Sequence, residues 1–227
     1  MKKLILIIGI LAAAASCKVI DPYDPNHFNE HNVSNFCSNL FDEEVKNNLT
    51  YFYNAYHIAR FIEADAELKV SPEFDMIRTG LSYYDGIYRF DYDDYSFNSD
   101  ILLGPGSSWK VSASRYWTLV INAAAEKQWS VTCADKGTVL NVKLTEESPE
   151  MMRMLVSVKG TRTEDSEFSA RFSAEELEVT IGHKYAGKIE SMAFRGEMQV
   201  VFYEGAKGHR TCVMTMVPEL ETSYAII

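Results

Sequence analysis

The chain has 227 residues, 47% of them hydrophobic and 24% charged, with 12 Gly and 6 Pro and a formal charge of −10. That balance excludes collagenous, disordered and polytopic membrane proteins. The first sixteen residues hold Lys2 and Lys3 and no acid, so beyond them 20 bases face 32 acids and the charge is −12. A surface that acidic repels phosphate backbones and anionic headgroups, so nucleic acid is not an expected partner and neither is a polybasic membrane contact.

Lys2 and Lys3 precede the apolar run Leu4 to Leu11, four alanines, Ser16 and Cys17. The run has the length of a signal-peptide core and falls short of the roughly 18 to 20 residues a spanning helix needs. With Ala14, Ala15 and Ser16 directly before Cys17, the segment resembles a bacterial lipoprotein precursor, although Ala14 stands where Leu is commoner. The resemblance covers residues 1–17. It implies cleavage before Cys17 and acylation of that cysteine, whose chains, at about 0.8 kcal/mol per buried methylene, would anchor the mature protein to a membrane. Residues 17–36 then form the lipidated cysteine and a flexible tether, because Pro22 and Pro25 bar a helix and the Asn-rich remainder buries little.

From about Asn39, Phe41, Val45, Leu49, Phe52, Tyr56, Ala59 and Ile62 form one apolar stripe, which predicts an amphipathic helix of about six turns. After Pro72 the helical period gives way to about a dozen short alternating runs separated by turn residues. Asp85-Gly86 marks a two-residue hairpin, and Asp135-Lys136-Gly137 and Arg195-Gly196-Glu197 mark further turns. Phe168 to Phe172 and Leu177 to Ile181 read as separate strands, as do Ile189 to Phe194 and Met198 to Tyr203. The expected fold is mainly β, an antiparallel meander forming a sandwich or barrel with one helix packed on it, in a single domain over 37–227.

Catalytic signatures are missing. His27-Phe28-Asn29-Glu30-His31 spells the inverted zinc-protease motif, but it sits in the tether, where chance is the better explanation. Gly182 to Lys188 matches a phosphate loop until Ile189 stands in place of Ser or Thr, and it reads as a hairpin turn. Cys212, Met214 and Met216 alternate on one strand and could hold Cu(I), though methionines on such a strand usually fill a core. With Cys17 acylated, Cys37, Cys133 and Cys212 remain. Cys133 with Cys212 is the expected disulfide, and three buried thiols are the alternative.

Tyr83 to Asp100 is the most distinctive stretch. Tyr83, Tyr84, Tyr92 and Tyr95, with Trp109, are candidate stacking surfaces for a glycan or another ligand. Asp91, Asp93, Asp94, Asn98 and Asp100 could offer oxygens to Ca²⁺ in an irregular loop. The competing view is an edge hairpin whose aspartates keep it from aggregating. No cofactor is implied. As a whole the chain resembles the small envelope lipoproteins of Bacteroidota-type bacteria. That resemblance implies an outer-membrane or cell-surface address, since Lys18 is not the aspartate that retains some lipoproteins at the inner membrane, and it supplies no active site. The expected function is an anchored binding module for a glycan, peptide or protein, without catalysis, or alternatively a structural or assembly subunit of an envelope complex.

Overall fold

The computed structural model describes residues 30–64, 81–84, 87–90, 94–97, 103–114, 117–134, 136–163, 168–185, 188–204 and 207–227. The signal segment, Cys17, His27 and most of the expected tether lie outside them. Helix α1 (Glu30–Phe41) continues through a π-helical turn (Asp42–Lys46) into α2 (Asn47–Ala64). The helix therefore starts earlier than the stripe from Asn39 predicts, and residues 30–36, read as tether, are helical. Val33, Phe36, Cys37 and Leu40 extend the apolar stripe backwards at helical spacing, and all four are buried. In the π turn the Asn47 N–H reaches back to the Asp42 carbonyl, which inserts one residue into the helical phase and turns Glu44 inward beside Val45.

Twelve strands follow as one antiparallel meander in strict chain order: β1 (Leu81–Tyr84), β2 (Ile87–Phe90), β3 (Asp94–Phe97), β4 (Ser108–Ser114), β5 (Trp117–Ala125), β6 (Gln128–Cys133), β7 (Val139–Glu147), β8 (Met151–Thr163), β9 (Phe168–Tyr185), β10 (Lys188–Glu204), β11 (Lys207–Met216) and β12 (Ser223–Ile226). The sheet is not closed: among the described residues β1 pairs only with β2, and β12 only with β11. The mainly β meander with one packed helix is the expected fold. Every strand from β5 to β11 buries alternate residues on one face, and this face packs on the helix. The α1 end meets β11 and β12, whereas α2 meets β4 and β6, so the sheet bends around the helix from both sides. Met152, Met154, Met198, Met214 and Met216 all lie in this core.

Two predicted turns are not turns. Residues 168–185 form one strand and 188–204 another, and the phase change between them is a β-bulge. Against β8, Val156 pairs with Leu177 and Val158 with Ala174; against β10, Gly196 pairs with Leu177 and Gln199 with Ser173. Both neighbours thus skip one residue fewer than β9, which places the extra residue at Glu175-Glu176. Gly196 makes the bulge possible. Its φ is +139°, and a Cβ there would stand 2.8 Å from the Glu176 carbonyl oxygen, closer than any side chain tolerates. β1 and β2 pair as the expected hairpin, with Tyr84 opposite Ile87, while residues 85 and 86 lie outside the described residues. The β6–β7 turn is likewise as expected, with Gly137 at φ +69°. β9 and β10 pair as a hairpin across the phosphate-loop match, with Tyr185 opposite Lys188, and residues 186 and 187 lie outside the described residues.

Candidate functional site

Three polar clusters interrupt the apolar contact between helix and sheet, and a fourth feature lies on the outer face. The first is built on the π turn. Glu44 is only 2% exposed; it accepts a hydrogen bond from the Thr138 hydroxyl at 2.6 Å and pairs with Lys136 Nζ at 3.1 Å. Glu43, one residue earlier, reaches Arg162 on β8 at 2.7 Å. A carboxylate this deep is tolerated because both a fixed donor and a cation meet it. The cluster pins the middle of the helix to the β6–β7 turn and to β8.

The middle of α2 forms the second cluster. Tyr53, Tyr56 and His57 gather there with Trp129 of β6 and His183 of β9. The Tyr53 and His57 rings are 4.3 Å apart, and the two imidazoles 5.5 Å apart and nearly perpendicular. His57 and His183 are 7% and 5% exposed. His183 Nε2 lies 3.0 Å from the Ser148 carbonyl oxygen and donates to it, so Nδ1 is the ring nitrogen left over. That Nδ1, His57 Nε2 and Trp129 Nε1 have no hydrogen-bond partner among the described residues. Burial, with the nearby His183 and Arg60 adding to it, holds His57 down at about 4, so its ring is neutral at neutral pH. Tyr56 donates to Glu147 Oε2 at 2.9 Å, and Arg60 lies 3.7 Å from the same oxygen. Burial first, then the Glu147 charge, pushes the Tyr56 phenol above its ordinary value.

The third cluster joins α1 to the last strands. Cys37 on α1 and Cys212 on β11 are both fully buried. The neighbouring Cys212 thiol, with burial, raises the Cys37 thiol far above its usual range. The expected Cys133–Cys212 disulfide is corrected: both are free, buried thiols, as the alternative reading had it. Spacing along two strands carries no information about which helix residue covers the second one. All three cysteines are unbonded thiols here.

On the outer face of β6 to β9 a trough of about 380 Å³ is lined by Gln128, Asn141, Lys143, Ser157, Glu175 and Glu176, with Leu155 and Trp129 also against it. Asn141 donates to Ser157 at 3.2 Å across its floor. The bulge on β9 supplies one wall, because its two consecutive glutamates both stay exposed.

The residues singled out from sequence fall at the other end of the sheet. Tyr83 and Tyr84 are on β1, Asp94 and Tyr95 on β3, and Trp109 on β4. Backbone register places Tyr83 opposite Tyr88, Tyr88 opposite Phe97, Phe97 opposite Trp109 and Trp109 opposite Ile121. Tyr95 pairs with Val111, which pairs with Leu119. Both rows run into buried positions of β5, since Ile121 and Leu119 are fully enclosed. Tyr92, Asp91, Asp93, Asn98 and Asp100 lie outside the described residues. Among the described residues no three His, Cys, Asp or Glu side chains converge as a metal site. The buried histidine pair and the trough were missed in the sequence. His57 and His183 sit on an apolar helix face and a strand respectively, far apart in the chain, and the trough depends on a bulge. No protein family matches this chain, and neither a curated protein nor a solved structure is significantly similar to it.

Proposed function

We propose that the mature protein is an envelope lipoprotein, acylated at Cys17 and held at the outer membrane or cell surface, whose β domain is a binding module without catalysis. The anchor rests on the lysine pair, the short apolar core and the small residues before Cys17. No helix among the described residues is long and apolar enough to cross a membrane. The observation that carries the binding role is the outer trough. The helix fills the concave side of the sheet, which leaves the outer face as the surface open to a ligand. The trough offers amide, hydroxyl, ammonium and carboxylate groups over a small apolar floor, a set suited to hydroxyl-rich or peptide ligands. The tyrosine-rich hairpin at the far edge of the sheet is a second candidate surface.

Glycan-array and peptide screening of the purified mature chain tests the role. Binding that is lost in an Asn141→Ala, Ser157→Ala variant locates the ligand in the trough, and binding lost only when Tyr83, Tyr84, Tyr92 and Tyr95 are changed to alanine moves it to the hairpin. If neither variant differs from wild type, both surfaces drop out of the account. The open sheet edge favours a second reading, a structural or assembly subunit of an envelope complex. Among the described residues β12 has a free side along which another chain could add a strand. A strictly monomeric protein with no co-purifying partner would count against that reading.

A further inference from the structure

We propose that the outer trough takes a neutral, linear oligosaccharide with equatorial linkages, laid across the strands. This rests on the trough being the binding surface, as proposed above, and names its ligand class. Cross-strand register carries the inference. On the outer face Ser108 of β4 stands opposite Asn122 of β5, Asn122 opposite Ser130 of β6, Ser130 opposite Asn141 of β7, and Asn141 opposite Ser157 of β8. Serine and asparagine therefore alternate in one unbroken row over five strands, each of them exposed or half-buried. The row ends at the β9 bulge. Ser157 falls between the Val156–Leu177 and Val158–Ala174 pairs, so it faces Glu175 and Glu176. A second row, Gln128, Lys143 and Leu155, runs beside the first through direct partners. The trough is lined from β5 to β9 but is only these two rows wide, so its long axis crosses the strands.

Neighbouring strands lie about 4.8 Å apart, and the row presents one side chain at each such interval. An extended peptide places side chains on one face only every ~6.6 Å, so it falls out of step within two strands. Its main chain finds no partners either, because the trough lies inside the sheet, where the backbone groups of β6 to β8 are committed to neighbours on both sides. A chain of equatorially linked pyranoses advances by nearly one strand spacing per sugar and carries hydroxyls along its whole length. The row suits them, since a serine both donates and accepts, and an amide can donate to one hydroxyl of a vicinal pair while accepting from the other. Bonds within the row leave that capacity. Ser108 donates to Asn122 Oδ1 at 2.7 Å, and Asn141 Nδ2 to Ser157 Oγ at 3.2 Å, so each asparagine keeps an N–H and a carbonyl lone pair. Charge narrows the class further. Lys143 is the only cation lining the trough, against Glu175 and Glu176, so a uronate or sulfated chain is repelled. Hydroxyls of a neutral chain instead donate to those carboxylates in charge-assisted bonds.

The mature chain carrying Cys17→Ala is titrated calorimetrically with cellohexaose, chitohexaose and a hyaluronan hexasaccharide, whose linkages are also equatorial but which carries carboxylates. Shorter members of the neutral series that binds follow. The expected result is binding of a neutral hexasaccharide and none of the hyaluronan, with affinity that rises with length to about five sugars, one per strand of the row, and then levels off. Asn141→Ala with Ser157→Ala should weaken the hexasaccharide about tenfold. Asn122→Ala, at the other end of the row, should weaken the hexasaccharide and leave the trisaccharide unchanged. These side chains pack on the outer face and not in the core, and circular dichroism matching wild type separates lost binding from lost folding. Affinity independent of length, hyaluronan bound as tightly as the neutral chains, or no neutral chain bound at all overturns the inference. Peptide binding that the Asn141, Ser157 variant abolishes, with no neutral glycan bound, overturns the ligand class and leaves the trough as the binding surface. Binding of any ligand that no trough variant alters removes both.

Discussion

Glu44→Ala removes the one buried carboxylate among the helix's described side chains, and the structure sets how much that should cost. Glu44 is 2% exposed, with two partners of different kinds. Its hydrogen bond from the enclosed Thr138 hydroxyl, at 2.6 Å, has a charged acceptor, and such bonds contribute about 1.5–3 kcal/mol. The Lys136 ammonium at 3.1 Å is 35% exposed and regains water once the carboxylate is gone, so the ion pair adds only about 0.5–1 kcal/mol. The alanine variant should lose about 2–4 kcal/mol. Glu44→Gln keeps an acceptor for Thr138 and should lose about half as much. Thr138→Val leaves the carboxylate with Lys136 alone and should cost about 1–2 kcal/mol. With a urea slope of about 2–3 kcal/mol per M, the Glu44→Ala midpoint falls by about 1 M. The double variant closes a cycle whose coupling energy should be about 1–2 kcal/mol. Alanine and wild-type midpoints within about 0.2 M of each other, or additive single effects, would show that the π turn is not seated on the β6–β7 turn.

Three further outcomes follow from particular contacts. His57 titrates at about 4 in the folded protein against 6.5 for the ordinary side chain, so on acidification the unfolded chain takes up its proton first. The stability this gives is fully present above pH 6.5 and is lost as pH falls towards 4, by roughly 3 kcal/mol in all; urea midpoints across that range should fall more steeply for wild type than for His57→Gln, and parallel curves would contradict the burial of the ring. Gly196→Ala should cost about 2–4 kcal/mol, because the new Cβ meets the Glu176 carbonyl at 2.8 Å, whereas Gly106→Ala, with nothing within 4 Å and only its φ of +87° against it, should cost about 1 kcal/mol; equal losses in thermal unfolding would remove the bulge argument. Tyr56→Phe gives up the 2.9 Å bond to Glu147 and should lose about 1 kcal/mol, with no loss once Glu147 is also changed to Ala.

The period of the apolar residues made the helix and most strands legible. Leu49, Phe52 and Tyr56 repeat at helical spacing, and Leu140, Val142 and Leu144 alternate, so each element could be assigned from its own residues. The errors came where a local signal has two structural meanings. Glycine between charged residues at 195–197, and the phase flip between Phe172 and Leu177, mark a turn or a bulge equally well. Only the register against β8 and β10 decides between them. Val33, Phe36 and Cys37 carry the helical stripe but are embedded among asparagines and serines, so the composition of the tether outweighed the spacing. The polar clusters were illegible for a different reason. Glu44 with Thr138 and His57 with His183 are contacts between the helix and residues much later in the chain, in a turn and in a strand respectively. Periodicity fixes which face of the helix is covered, but not which strand covers each position.

The proposed lipid anchor carries the most weight in the functional account, because it would set the compartment and the surface on which any ligand is met. The most direct test is the intact mass and N-terminal peptide of the protein isolated from its own cells. The account predicts a chain that begins at Cys17 and bears two or three acyl chains, and that moves from the detergent to the aqueous phase when Cys17 is changed to alanine. An unmodified cysteine, a start elsewhere, or detergent partitioning unchanged by Cys17→Ala would contradict it.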